Sequence, residues 1–190
     1  MVDRAVLLTP GAGTDASHPS LLAIERVLAP VPVRRLDFPY RLAGRKAPDR
    51  PPRLIAAVEE AAAELATETG LDPARIVLGG RSMGGRMCSM AVAGGLPALG
   101  LVLVAYPLHP PGRPDRLRIE HLPDLAVPCL FVSGTRDPFA SPEELTSHVA
   151  AIAGPVTLRF LEGKRHDLRG ADGEIADLVA AWVRELPESA

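Results

Sequence analysis

Six short, mostly apolar runs separated by segments of helical periodicity constrain the fold of this chain more than any other feature. The runs occupy residues 4–9, 31–37, 75–79, 100–105, 127–133 and 155–161. They are too short for stable helices, and most lack the alternation of a strand with one face in water. A continuous apolar run suits a strand covered by helices on both faces. Strands alternating with helices therefore predict βαβ units around a mostly parallel six-stranded sheet with helices on both faces.

The intervening segments carry helix signals with a physical basis. Ser141-Pro142-Glu143-Glu144 reads as a capping box with proline at the first helical position. Near the C-terminus Ile175, Leu178, Val179, Trp182, Val183 and Leu186 form a stripe of 3.6-residue period. That stripe places Trp182 in the core rather than in a ligand platform. Residues 53–66 predict another amphipathic helix, with Leu54, Val58, Ala62 and Leu65 inward. Residues 38–52 and 106–126 are rich in proline and arginine without periodicity. They predict long loops, the natural rim of a binding pocket.

With 190 residues, 47% apolar and 23% charged, the expectation is one globular domain spanning 1–190. A net charge of −2 supplies no global positive field, so neither nucleic acid nor an anionic membrane surface is an expected partner. No apolar run approaches the roughly 20 residues needed to span a bilayer. The first residues lack the pattern of a signal peptide, so a cytoplasmic location is expected. Cys88 and Cys129 lie in apolar runs and read as buried free thiols, with no metal site expected.

The most informative motif is the strand Ile76 to Gly79 entering Gly80-Arg81-Ser82-Met83-Gly84-Gly85, followed by a helical run from Arg86 to Ala93. A nucleophile elbow has this form, a serine on a tight strand-to-helix turn flanked by glycines where side chains would collide with backbone. In such proteins the acid and the histidine follow the serine in that order. Asp137 lies just beyond the strand ending at Ser133, and His166 just beyond the strand ending at Leu161. Both leave the same sheet edge as Ser82, where open parallel sheets bind ligands. The expected roles are nucleophile for Ser82, general base and acid for His166, and orienting carboxylate for Asp137. Competing candidates for the acid are Asp115, Asp124 and Asp167. His109 and His121 read as solvated loop histidines, with pocket lining as the alternative, and His18 and His148 as structural.

Acyl transfer also needs donors for the developing oxyanion, here the backbone N–H of Met83 and, from the loop Pro10-Gly11-Ala12-Gly13, that of Ala12. The same loop suggests a rival: glycines after a strand, with Asp37 ending the next one, resemble a dinucleotide-binding fingerprint. The helix pattern, however, begins only near His18-Pro19-Ser20, too late to cradle a pyrophosphate. No cofactor is expected. Arg34, Arg35, Arg41, Arg45, Lys46, Arg50 and Arg53, against Asp37 and Asp49, form a basic segment; it reads first as a solvated loop surface, and it also motivates the alternative that the substrate or its leaving group is anionic.

Several stretches are more particular than the elbow: Gly11-Ala12-Gly13, Asp37-Phe38-Pro39-Tyr40, Gly79 to Arg86, Tyr106-Pro107-Leu108-His109-Pro110-Pro111-Gly112, Glu120-His121-Leu122, Gly134 to Phe139 and His166-Asp167. In these the chain resembles a family of small α/β-hydrolase-like proteins that includes testis-expressed protein 30 and a regulatory subunit of the NSL histone acetyltransferase complex. That family is related to the dienelactone hydrolases. The resemblance implies a minimal α/β-hydrolase fold without a lid domain, with Ser82, Asp137 and His166 at the triad positions. It departs from the family at Pro10, where a histidine is usual, so the oxyanion loop is the expected place for altered geometry. The activity expected is hydrolysis of small carboxylic esters or thioesters through an acyl-enzyme. The alternative, also implied by the resemblance, is a non-catalytic module of the same fold that binds a protein partner.

Overall fold

The computed structural model describes residues 3–187. Six strands, β1 (Ala5–Thr9), β2 (Val33–Arg35), β3 (Ile76–Arg81), β4 (Gly100–Val104), β5 (Cys129–Gly134) and β6 (Val156–Leu161), form one sheet in the order β2-β1-β3-β4-β5-β6. Every pairing is parallel. The helices are α1 (Pro19–Leu28), α2 (Pro39–Leu42), α3 (Pro51–Thr69), α4 (Met83–Ala93), α5 (Pro142–Val149) and α6 (Asp172–Glu185). This is the expected α/β-hydrolase architecture, with no lid domain among the described residues.

Alternation along each central strand divides the core in two. Ala5, Leu7, Ile76, Leu78, Leu101, Leu103 and Phe131 pack with α3, α4 and α5 on one face. Val6, Leu8, Val77, Val102, Val104, Leu130 and Val132 pack with α1 and α6 on the other. Right-handed crossovers produce this division: the chain turns one way from β1 to β2 and the other way from β2 onward, so α1 and α3 lie on opposite faces. The reversal opens a crevice at the carboxyl ends of β1 and β3, the position where sheets of this type hold ligands. The loop after β1 and the turn after β3 line that crevice.

Element boundaries show where composition misleads. The strand expected over 31–37 is only Val33–Arg35, an edge strand paired on one side, although Pro32 O and Leu36 N still bond β1. The expected loop 38–52 is partly helical, because α2 occupies Pro39–Leu42 and α3 already starts at Pro51. Proline reads as loop in composition, yet at a helix's first position its missing N–H loses nothing. α3 ends at Gly70, whose φ of 68° suits only a residue free of Cβ strain. The capping box forms as expected, with Glu144 N–H donating to Ser141 Oγ at 3.2 Å and Ser141 N–H to Glu144 Oε2 at 2.8 Å. On α6, Ile175, Val179 and Val183 are fully buried, and Trp182 packs partly buried beside them. Both cysteines are free and buried, and burial pushes each thiol up to about 12, so neither is a reactive thiolate at neutral pH.

Candidate active site

β3 delivers the chain into α4 through one strained residue. Ser82 has φ 50° and ψ −116°, and it caps α4 while its own N–H donates to Val104 O on β4 at 2.8 Å. The flanking glycines permit this turn by their lack of side chains. A Cβ on Gly80 would stand 2.1 Å from Thr9 Oγ1, and one on Gly84 would stand 2.4 Å from Pro10 O. The elbow is thus pressed against the end of β1, and strain at one residue is held by packing on both sides.

Asp137 and His166 converge on this turn from β5 and β6. Ser82 Oγ lies 2.8 Å from His166 Nε2, and His166 Nδ1 lies 2.8 and 3.0 Å from the two oxygens of Asp137. The carboxylate accepts, so Nδ1 carries the proton and Nε2 is left to accept from the Ser82 hydroxyl. Asp137 has a fully buried side chain and also accepts from Phe139 N–H at 2.8 Å, which fixes its orientation. The Phe139 ring stacks on the imidazole with centroids 3.9 Å apart. A serine hydroxyl bonded to an imidazole that a buried carboxylate orients can act as a nucleophile without a metal or cofactor.

The other expected residues fall into place differently. Asp115 and Asp124 are exposed and away from the crevice. Asp167 lines the cleft, but its carboxylate accepts from Arg169 N–H rather than from His166. Asp37 accepts from Ala16 N–H at 2.7 Å and so fastens the loop after β1, while α1 starts only at Pro19. That arrangement leaves no dinucleotide fingerprint. His18 caps α1 by accepting from Ser20 N–H, as a structural histidine does, and also borders the cleft.

Two histidine expectations and one charge expectation need correction. His109 is 4% exposed, with Nδ1 donating to Pro110 O at 2.8 Å. His121 has Ser89 Oγ at 2.8 Å and Tyr106 Oη at 3.1 Å from its Nε2, and burial, with the nearby Arg86 charge, lowers its pKa to about 4. Neither is a solvated loop histidine, because the 106–126 connection folds inward on Leu108, Leu122 and Leu125. Most of the basic segment is neutralised, with Lys46 and Arg50 exposed and outside any ion pair among the described residues. Arg34 pairs with Glu64 and Glu68, Arg35 with Glu25, Arg41 with Asp15, and both Arg45 and Arg53 with Asp49.

Three contributors escaped sequence reasoning. Tyr40, buried, donates its hydroxyl to Ala12 O at 2.8 Å. Thr14 donates both its N–H and its Oγ1–H to Gly11 O, each at 3.2 Å. These bonds hold the loop after β1 despite the departure at Pro10. Arg81, 5% exposed, donates Nη2–H to His166 O at 2.9 Å and so ties the histidine's backbone to the elbow. Its position inside the elbow was the only available signal, since the partner lies far along the chain.

Sheet order, strained serine turn and crevice at the strand ends define the α/β-hydrolase class. Within it, a family model described as Alpha/beta hydrolase domain matches residues 2–181, and the chain belongs to that family. Solved structures agree on the fold. An alpha-beta serine hydrolase homologue from Coxiella burnetii is 19% identical, with 97% of this chain and 86% of that one covered and a TM-score of 0.77. A dienelactone hydrolase from Anabaena variabilis is also 19% identical, covering 96% of this chain and 87% of that one at a TM-score of 0.77. The RedJ thioesterase of the prodiginine pathway in Streptomyces coelicolor is 18% identical over 97% of this chain and 91% of that one, with a TM-score of 0.68. No helix among the described residues is long and apolar enough to cross a membrane.

Proposed function

We propose that the protein is a serine hydrolase that cleaves small carboxylic esters or thioesters, with Ser82 as nucleophile, His166 as base and acid, and Asp137 as the group orienting His166. The observation that carries this reading is the continuous hydrogen-bond line from Ser82 Oγ through the imidazole to buried Asp137, with each step at 2.8 Å. His166 Nε2 takes the hydroxyl proton as Oγ attacks the carbonyl carbon. The tetrahedral intermediate collapses, His166 returns the proton to the departing oxygen or sulfur, and an acyl-enzyme remains. Water, deprotonated by the same imidazole, then releases the carboxylic acid and restores Ser82.

The oxyanion donors are the N–H groups of Met83 and Ala12. Met83 opens α4, where an N–H has no partner within the helix, and the helix dipole favours negative charge there. The peptide joining Gly11 to Ala12 has its carbonyl held by Thr14, so its N–H must point the opposite way. A Cβ on Gly11 would lie 3.7 Å from Ser82 Cβ, which sets this peptide beside the nucleophile. The open cleft of about 800 Å³ above Ser82 is large enough for a small ester.

Labelling of the folded protein with a fluorophosphonate tests the reading. Stoichiometric modification that disappears in Ser82→Ala is the expected result. A native protein that takes up no label would instead favour a fold used for binding alone.

A further inference from the structure

The cleft contains cations that the reaction above does not use. Arg81, Arg86, Arg118 and Arg165 all border it, and among the described residues none forms an ion pair with a carboxylate. The arginines of the 34–53 segment that are paired lie outside it. Net charge therefore says little, whereas the placement of unpaired guanidinium groups says more.

These four arginines differ in what they face. Arg81 gives Nη2–H to His166 O and leaves a shielded Nη1 without a partner, but its charge is answered by Asp172, Asp167 and Asp137. Arg165 is exposed to water. Arg86 is half-buried, with an Nε that is shielded from solvent and bonded to nothing in the protein. It stands one helical turn beyond Ser82, an i,i+4 relation of about 6 Å along the axis, and its N–H donates to Ser82 O at 3.1 Å. Arg118 reaches the same cleft from the connection after β4, where its N–H to Leu108 O at 2.8 Å fixes the backbone. Burial and then the Arg118 charge lower the Arg86 pKa, against Tyr106 and Glu120, which raise it. A shielded guanidinium N–H left without an acceptor is costly, as at Arg86, and a second guanidinium bordering the same cleft adds donors for the oxygens of a carboxylate.

We propose that Arg86 and Arg118 bind a carboxylate on the acyl part of the substrate, so that the protein acts on half-esters or half-thioesters of dicarboxylic acids. This rests on Ser82 as nucleophile. The acyl assignment follows from proton transfer. The leaving group must stand at His166, whereas Arg86 continues the helix that begins at the nucleophile. Buried Met87 and Pro107 border the same cleft and offer an apolar wall to a short methylene chain.

Turnover of mono-4-nitrophenyl adipate and of neutral 4-nitrophenyl hexanoate provides the test. The expected kcat/KM ratio favours the charged ester by roughly tenfold or more at low salt, and it falls by roughly 10- to 100-fold in Arg86→Gln and in Arg118→Gln. Arg34→Gln, which alters a paired arginine outside the cleft, should keep the wild-type ratio. A wild-type ratio of one or less, or a ratio unchanged in both cleft variants, overturns the proposal. Arg118 lies in a loop, so its variant keeps the test available should Arg86→Gln fold poorly. Calorimetry of monoethyl adipate with Ser82→Ala protein examines the receptor without chemistry. Weaker binding when either arginine is also replaced supports it, and equal binding overturns it. Fluorophosphonate labelling reports on Ser82 alone, which separates failure of this proposal from failure of the triad reading.

Discussion

Among the described residues three serine–histidine pairs close at 2.8 Å; His18–Ser20 sits at the start of α1, and the other two involve α4. Ser82 caps that helix and meets His166, while Ser89, two turns further on, meets His121. Distance does not distinguish them. Their surroundings do. Ser82 stands at positive φ in an open cleft, and the second nitrogen of its histidine is held by buried Asp137. Ser89 is fully buried within a regular helical turn, donates to Arg86 O, and shares its histidine with the Tyr106 hydroxyl. Among the described residues no carboxylate pairs with His121. One pair has the arrangement that the proposed hydrolysis requires. The other fastens the 106–126 connection to α4, and through it the wall that carries Arg118.

Removing each serine in turn should separate the two pairs most widely. Ser82→Ala should lower ester turnover by as much as about 10⁶-fold where chemistry limits the rate, whereas Ser89→Ala should stay within a few-fold of wild type. Equal losses in steady-state kcat would erase the distinction. Next in size, Asp137→Asn should cut kcat by about 10⁴-fold, because an amide no longer enforces the tautomer with Nε2 free to accept. Its folded spectrum should be unchanged. Gly84→Ala tests the elbow itself. The new methyl meets Pro10 O and Thr9 Oγ1, each at 2.4 Å, and should cost about 1–3 kcal/mol in urea-unfolding free energy, together with activity.

The buried pair should show itself in stability. His121→Leu leaves the Ser89 and Tyr106 hydroxyls short of a partner, at a cost of about 1–3 kcal/mol in urea unfolding. The smallest effect is its pH dependence. His121 titrates near 4 in the folded protein, below its ordinary value of 6.5, so between these values the unfolded chain binds more protons. Its contribution is complete above pH 6.5 and is lost as pH falls toward 4, with a slope of at most about 1.4 kcal/mol per pH unit. Unfolding free energies measured across that window should fall less steeply in His121→Leu than in the native chain.

Local sequence was enough for the features that depend on neighbours in the chain. The run Ile76 to Gly79 with glycines on both sides of Ser82 specifies the turn, because the collisions those glycines avoid arise wherever a strand enters a helix so abruptly. Asp137 and His166 were legible because each follows a strand end directly, and parallel strands place their ends on one rim. The capping box at Ser141 is closed within four residues.

Chain separation explains what could not be read. The pairing of Arg34, Arg35 and Arg41 was hidden because their acids, Glu64, Glu68, Glu25 and Asp15, belong to other segments, whereas Asp49 lies within four residues of Arg45 and Arg53. His121 looked solvated because its partners Ser89 and Tyr106 arrive from α4 and the end of β4. The hold of Tyr40 on Ala12 and of Arg81 on His166 likewise joins segments that only the folded sheet brings together. Apolar runs and glycine placement act over a few residues, so the parallel sheet, the elbow at Ser82 and the order of the three groups around it follow from local sequence. Tertiary structure alone decided which arginines are neutralised and which face the cleft, because a charge takes its role from partners that packing supplies.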